Sequence, residues 1–328
     1  MKTFSRMKKS YLIYLFLLLH ATVLCQTERQ LVPADLKQQT IVTEPVTLRK
    51  GFFRTGIIMN YRVADKYFDA SGVKEYYITS SWGSTSAYGI TLQYGLTDRL
   101  QLDIKTEYRN KLQEFQNKEI VAGTNTTIVT TTRQKGLGLG DSHFAVTYQF
   151  LQEIERRMSL TGRINVTVPT GEKNPTNIRS VEKYNLPVGE GTYALGINIS
   201  ARKILYPYSL AGYIEYRHNF EGAKKFSAAD DAESNFRLGN RFESGLSVNL
   251  HLNEWIALAN EINFSDKSKG EVESIVTQEI PDEWALSYEP SLVFQVKRFR
   301  LGESVRIPLK GENVPADPLY KIMIQYLF

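Results

Sequence analysis

The chain predicts an all-β fold, a transmembrane antiparallel up-and-down β-barrel of about twelve strands. Three observations carry that expectation. Segments of alternating apolar and polar residues recur from residue 51 onward, short and long connections alternate between them, and the last strand ends on Phe328. Alternation at period two sends successive side chains to opposite faces of a strand. In a soluble sandwich the apolar face packs on a second sheet, whereas in a barrel it meets lipid while the polar face lines the interior. A sandwich has no reason to keep long and short connections in strict alternation. An outer-membrane barrel does, because its periplasmic turns are short and its outside loops long.

The first segment, residues 1–25, reads as an export signal. Lys2, Arg6, Lys8 and Lys9 precede an apolar run from Tyr11 to Leu19 that is too short to cross a bilayer as a helix. Cleavage after Cys25, leaving Gln26 as the new N-terminus, is expected. The alternative is a lipoprotein acylated at Cys25, although Leu24 is bulky where such signals prefer a small residue. Removing the signal's four bases lowers the formal charge from +5 to +1. With that balance, and no basic stripe interleaved with aromatics, nucleic acid is not an expected partner. Cys25 is the only cysteine, which leaves the mature chain without thiolates or disulfides. No cofactor and no metal are expected, because no ligand cluster has the spacing for zinc, calcium, a nucleotide or haem. Residues 26–50 contain Pro33 and Pro45 and no lasting periodicity. They are read as an N-terminal segment that hangs free in the periplasm or folds into the barrel mouth.

Barrel strands, filling residues 51–328, are expected to begin near residues 51, 84, 99, 139, 158, 190, 208, 236, 254, 284, 299 and 318. From Arg99 to Tyr108, one face carries Arg99, Gln101, Asp103, Lys105 and Glu107 and the other Leu100, Leu102, Ile104, Thr106 and Tyr108. Met158–Val168, Leu210–Asn219 and Arg237–His251 repeat the pattern, and Leu319–Phe328 closes with Tyr320, Ile322, Ile324, Tyr326 and Phe328 on one side. Short links fall at Thr97-Asp98, around 152–157, and at Tyr206-Pro207, Asn253-Glu254 and Lys297-Arg298. Long polar segments fall at 63–83, 110–136, 169–189, 221–235 and 265–283, with a shorter one at 310–317. The even strand count puts both barrel ends on the periplasmic side.

Parity points Arg54, Arg62, Asp103, Lys105, Glu107, Arg163, Glu215, Arg217, Arg241, Glu243, Glu289, Arg300, Arg306 and Lys321 to the lumen. These are the lumen-lining candidates. They either cross-brace a filled interior or set the selectivity of a water path. Trp82, Trp255 and Trp284 fall at strand ends, as interfacial girdles require. The mature histidines are His143, His218 and His251. Ser142 is sent to the opposite face from Asp141 and His143, so those neighbours do not form a triad, and no catalytic residue is assigned.

Two motifs remain. Gly136-Leu-Gly-Leu-Gly140-Asp141, leading into Phe144, Val146, Tyr148 and Phe150, resembles the Gly-x-Gly-Asp strand start of the outer-membrane proteins grouped as "meta-pathway of phenol degradation" transporters. Val168-Pro169-Thr170-Gly171 is similar to a Pro-Thr-Gly in that family, and the terminal Phe328 fits it as well. The resemblance makes Gly138, Gly140, Asp141, Pro169, Thr170 and Gly171 motif positions, spans residues 51–328, and implies passage of small, often hydrophobic compounds across the outer membrane. From the residues alone, the glycines let a strand bend or a neighbour pack closely, and Asp141 caps the bend. The expected function is an outer-membrane channel or transporter for passive uptake of small solutes, hydrophobic ones among them. A structural or adhesive barrel is the alternative, and a barrel hydrolase a weaker one. The expected partners are outer-membrane lipid, a small-molecule solute, and the barrel assembly machinery, reached through the strand ending at Phe328.

Overall fold

The computed structural model describes residues 46–77, 82–120, 127–152, 158–175, 186–226, 230–273 and 278–328, with side chains left out at 115–120 and 127–132. The signal segment, its cleavage site and residues 26–45 lie outside the described residues.

The alternating segments form twelve long strands. They are β1 (Phe53–Ala64), β2 (Trp82–Gly95), β3 (Leu100–Ile120), β4 (Ser142–Leu151), β5 (Met158–Val168), β6 (Ala194–Leu205), β7 (Tyr208–Asn219), β8 (Arg241–His251), β9 (Ile256–Lys267), β10 (Glu283–Val296), β11 (Phe299–Glu312) and β12 (Leu319–Leu327). Each pairs antiparallel with the next, and β12 pairs back onto β1 with Ile57 opposite Ile324 and Met59 opposite Ile322. The ring is closed, so every strand is paired on both sides. Phe328 completes the seam: its N–H donates to the Phe53 carbonyl at 2.7 Å, and its ring packs on Phe53 and Tyr326.

The packing is inside out relative to a soluble protein. Gln101, Thr147, Asn249 and Glu289 are each no more than 2–4 % exposed, while Leu246 is 74 % exposed and Ile164 and Ile262 are both 55 % exposed. Apolar residues outside and hydrogen-bonding residues inside fit a hydrocarbon surround, in which every backbone group must be satisfied by the sheet itself. Among the described residues no helix crosses a membrane. This closed twelve-stranded antiparallel barrel is of the bacterial outer-membrane kind.

Short turns gather at one end with both barrel termini, hereafter the turn end, and long connections gather at the loop end. The long connections are more ordered than expected. The segment expected as a loop at 110–136 is largely strand: β3 runs on to Ile120 and pairs with Thr127–Leu139, Tyr108 opposite Leu139. The physical reason lies in Thr127-Ile-Val-Thr-Thr-Thr132, an unbroken β-branched run. This hairpin rises past the ring and returns through Gly140 and Asp141 into β4. The expected single run Arg237–His251 is also broken, because Leu238-Gly239-Asn240 interrupts it. Ser234–Arg237 instead joins Glu221–Lys224, Gly270–Val272 and Gln278–Ile280 in a four-stranded sheet at the loop end. Lys66–Phe68, Lys74–Tyr76 and Val314–Pro315 make a three-stranded sheet beside it.

Candidate functional site: the barrel lumen

The lumen divides into a filled turn-end half and a cavity at the loop end. In the filled half, Arg54 Nε donates to Gln93 Oε1 at 2.7 Å, and Gln93 Nε2 donates to Asp103 Oδ1 at 2.6 Å. Gln101 Nε2 and Thr147 Oγ1 also donate to the Asp103 carboxylate, at 2.7 and 3.2 Å. Residues 46–50 close over this network: the Leu48 N–H reaches Gln101 Oε1 at 2.8 Å, and Thr47 Oγ1 reaches Gln149 Oε1 at 2.8 Å. The described part of the N-terminal segment therefore sits in the barrel mouth. Arg300 faces the same end, donating to Gln295 and Gln325.

Midway along the barrel, Glu289 on β10 collects Lys321 (2.8 Å), Arg306 (2.6 Å) and the Ser304 hydroxyl (2.7 Å). Behind this cluster the β10–β11 ladder lapses. Cα pairing runs to Tyr288 opposite Ile307 and resumes at Ser291 opposite Ser304, leaving Glu289 and Pro290 without partners on β11. Pro290 has no N–H to give, which accounts for the lapse. A cavity of about 480 Å³ lies there, touched by the lumenal Ser304 and Lys321 and the outward Asn260, Tyr288 and Leu292. Across the barrel, Glu107 pairs with Lys105 at 2.6 Å and with Arg109 at 3.1 Å. Glu215 accepts from Asn198 and Asn165, and Arg163 is within its electrostatic reach.

At the loop end, connection residues 186–192 turn inward and narrow the lumen. Val188 is 1 % exposed, its carbonyl accepts from Arg109 Nη1 at 3.1 Å, and the Pro187 carbonyl accepts from Lys111 Nζ at 2.9 Å. Glu190 pairs with Arg217 at 2.7 Å. The two motifs anchor this loop. The buried Asp141 carboxylate accepts from the Gly171 N–H at 3.1 Å and from the Glu190 N–H at 2.7 Å. Thr170 Oγ1 donates to the Gly140 carbonyl at 3.1 Å. A Cβ on Gly171 would lie 2.8 Å from the Gly189 Cα, and one on Gly138 would press on Val188 at 3.4 Å, so glycine lets the loop approach the wall. Pro169 ends β5 and turns the chain into this knot. The motif glycines and Asp141 do more than bend β4: they hold a constriction.

Burial pushes the Glu190 carboxyl up, but Arg217 and Arg109 outweigh it and hold it below the usual carboxylate range. Burial likewise pushes the Lys224 ammonium, on the loop-end sheet, below its usual value.

Beside the constriction lies a cavity of about 440 Å³ reached by Arg217, Arg241, Lys267 and Arg306. Arg217, Arg241 and Lys267 form one cross-strand row on β7, β8 and β9, and Glu215 stands directly opposite Glu243. Like charges placed opposite are destabilising by themselves. The row is offset by the ion pairs Arg217–Glu190, Arg241–Glu243 and Lys267–Glu283.

No known family model matches the chain. The fold has a solved counterpart. The crystal structure of the COG4313 outer membrane channel from Pseudomonas putida F1 superposes with a TM-score of 0.65 at 14 % identity, covering 88 % of this chain and 100 % of that one. The TodX monoaromatic hydrocarbon channel, in a deletion mutant, follows at TM-score 0.46 and 10 % identity, covering 85 % and 90 % of the two chains. The Ralstonia pickettii toluene transporter TbuX follows at 0.40 and 7 %, covering 86 % and 90 %. At these identities the likeness concerns the fold, and the last two scores add nothing to it.

Several lumenal residues escaped the sequence reading. Arg109 and Lys111 continue the inward parity of β3, but the alternation was read only to Tyr108 and residues 110–136 as loop. Glu261, Arg202 and Gln93 are buried inside and would have been found by carrying parity through β9, β6 and β2. Glu190 lay at an expected strand start near 190, but β6 begins at Ala194 and the position of Glu190 depends on the tie from its N–H to Asp141. His143 bonds Thr167 at 3.0 Å while Ser142 bonds Thr170 at 2.9 Å, so those two side chains serve different neighbours.

Proposed function

We propose that the chain is an outer-membrane channel or transporter that admits small solutes without an energy source of its own. One observation carries the reading: a charged cavity of about 440 Å³ at the loop end opens onto a constriction built by an inward-folded loop. Loops that fold inward to narrow a lumen, and charged rings facing each other across it, are how barrels set which solutes pass. With the turn end in the periplasm, the cavity faces outward and takes solute from outside. The apolar exterior takes outer-membrane lipid as its partner, and the seam strand ending at Phe328 is what assembly machinery would read.

A second reading concerns the exit. The turn-end half is filled by the Arg54–Gln93–Asp103 network and by residues 46–50, whereas the β10–β11 ladder lapses at Pro290 beside a cavity of about 480 Å³. That lapse supports a route through the barrel wall for apolar solutes.

Planar-bilayer conductance of the refolded mature protein tests the pore. Discrete steps whose ion selectivity moves when Arg241→Gln and Glu243→Gln are introduced are the expected result. Silence from heat-modifiable, correctly folded protein would remove the aqueous pore and leave the wall route.

A further inference from the structure

We infer that the loop-end lumen is a binding site for small organic acids, an apolar body carrying one carboxylate. The inference rests on the channel reading and names the class of solute it serves.

Seven basic and three acidic side chains line the cavity of about 440 Å³. Arg217, Arg241, Lys267 and Arg306 have carboxylate partners in Glu190, Glu243, Glu283 and Glu289. Arg62, Lys111 and Lys224 are in no ion pair among the described residues, although Glu190 lies within electrostatic reach of both lysines. Lys224 lies over the Phe226 and Phe236 rings, 4.9 and 4.5 Å from their centroids, and the hydrogen bond of Lys111 among the described residues goes to the Pro187 carbonyl. Arg62 makes no hydrogen bond among the described residues, and its Nε is buried without a partner. Its attractive neighbour Asp317 is engaged by the Asp65 and Lys66 N–H groups, at 2.9 and 2.8 Å, while Arg306 repels it. A half-buried guanidinium left in that condition is costly unless an anion completes it.

Register arranges the cations. Arg62 on β1 pairs with Thr85 on β2, and Thr85 pairs with Lys111 on β3, so an exposed threonine stands between two cations that are in no ion pair, on strands whose backbones lie about 10 Å apart. A carboxylate bridging that row would accept from all three. A second cavity, about 460 Å³, shares Arg62, Lys111 and Pro315 with the first, and its other walls include Tyr77, Trp82, Ala87 and Leu319. Asn60, Gln113 and the Glu107–Arg109 ion pair are also part of that lining. Cations on one side and the aromatic and aliphatic part of the second chamber on the other match the two ends of an amphiphilic acid. Both volumes lie in the range of about 300–1,000 Å³ typical of small-molecule sites.

The test measures benzoate binding to the refolded full mature protein in detergent by calorimetry, with benzamide as the neutral isostere and inorganic phosphate as the bare anion. Benzoate should bind at least tenfold more tightly than either. Arg62→Gln and, separately, Lys111→Gln should each weaken benzoate about tenfold and leave benzamide unchanged, with Arg62→Lys retaining most of the affinity. Heat-modifiable mobility reports folding of every variant. Equal binding of benzamide, or of phosphate, or benzoate affinity untouched in folded Arg62→Gln, would overturn the inference. Conductance recorded on the same preparations separates the outcomes, because a conducting protein that ignores benzoate sinks the acid site and spares the channel.

Discussion

Asp141 shows how one side chain can determine the shape of the lumen. Its two oxygens hold Gly171 and Glu190, one from each end of the connection between β5 and β6. Hydrogen bonds to a charged group contribute about 1.5–3 kcal/mol each, so Asp141→Ala is expected to free the constriction and to cost about 3 kcal/mol or more of stability. Protease cutting within residues 186–192 and denaturant midpoints would show both effects. Glu289 is the other residue with such leverage. Removing it in Glu289→Ala takes away the carboxylate that Lys321 and Arg306 contact directly and leaves them the electrostatic reach of Glu261, an expected loss of about 3 kcal/mol read from unfolding in lipid vesicles.

At the scale of elements, the inward loop responds to pH. Glu190 has its pKa depressed in the folded barrel, so its tie to Arg217 stabilises fully above the unfolded glutamate value of about 4.3 and is lost as pH falls through the lower folded value. Hydrogen exchange of Val188 to Thr192 should accelerate below that window while β7 and β8 stay protected, and Glu190→Gln should abolish the pH step. Exchange that rises equally in all three would contradict a local tie. Strand β8 gives a complementary expectation. Leu246 is at its middle and 74 % exposed, so Leu246→Arg should cost about 2–4 kcal/mol in a bilayer and far less in detergent.

For the whole molecule, ring closure determines what is stable. Every barrel strand has two neighbours, and the β12–β1 seam joins residues as far as 273 positions apart, as in Arg54 opposite Leu327. Deleting Leu319–Phe328 is therefore expected to abolish heat-modifiable mobility altogether, because an open barrel exposes two unpaired edges to lipid. Partial mobility shifts would instead mean that the remaining strands close without it.

The strands and their faces were legible in the sequence because alternation at period two is local and a one-residue slip would turn the lipid face inward. Arg99–Tyr108 and Leu319–Phe328 show this best: Gln101, Asp103, Lys321 and Gln325 are all inside, as parity requires. The rising hairpin was hidden because Thr127–Leu139 lacks a clean apolar face outside the membrane, and its β-branched run reads as polar loop. Sequence by itself thus determined a closed barrel, its strand order and the inward side of strand charges such as Arg54, Asp103, Glu289 and Lys321. Only the tertiary structure decided which charges meet: Asp141 with the loop at Glu190, Glu289 with Lys321, and Arg62 with no ion pair among the described residues. Such pairings depend on register and on loops folding back through the lumen, and neither leaves a periodic trace along the chain.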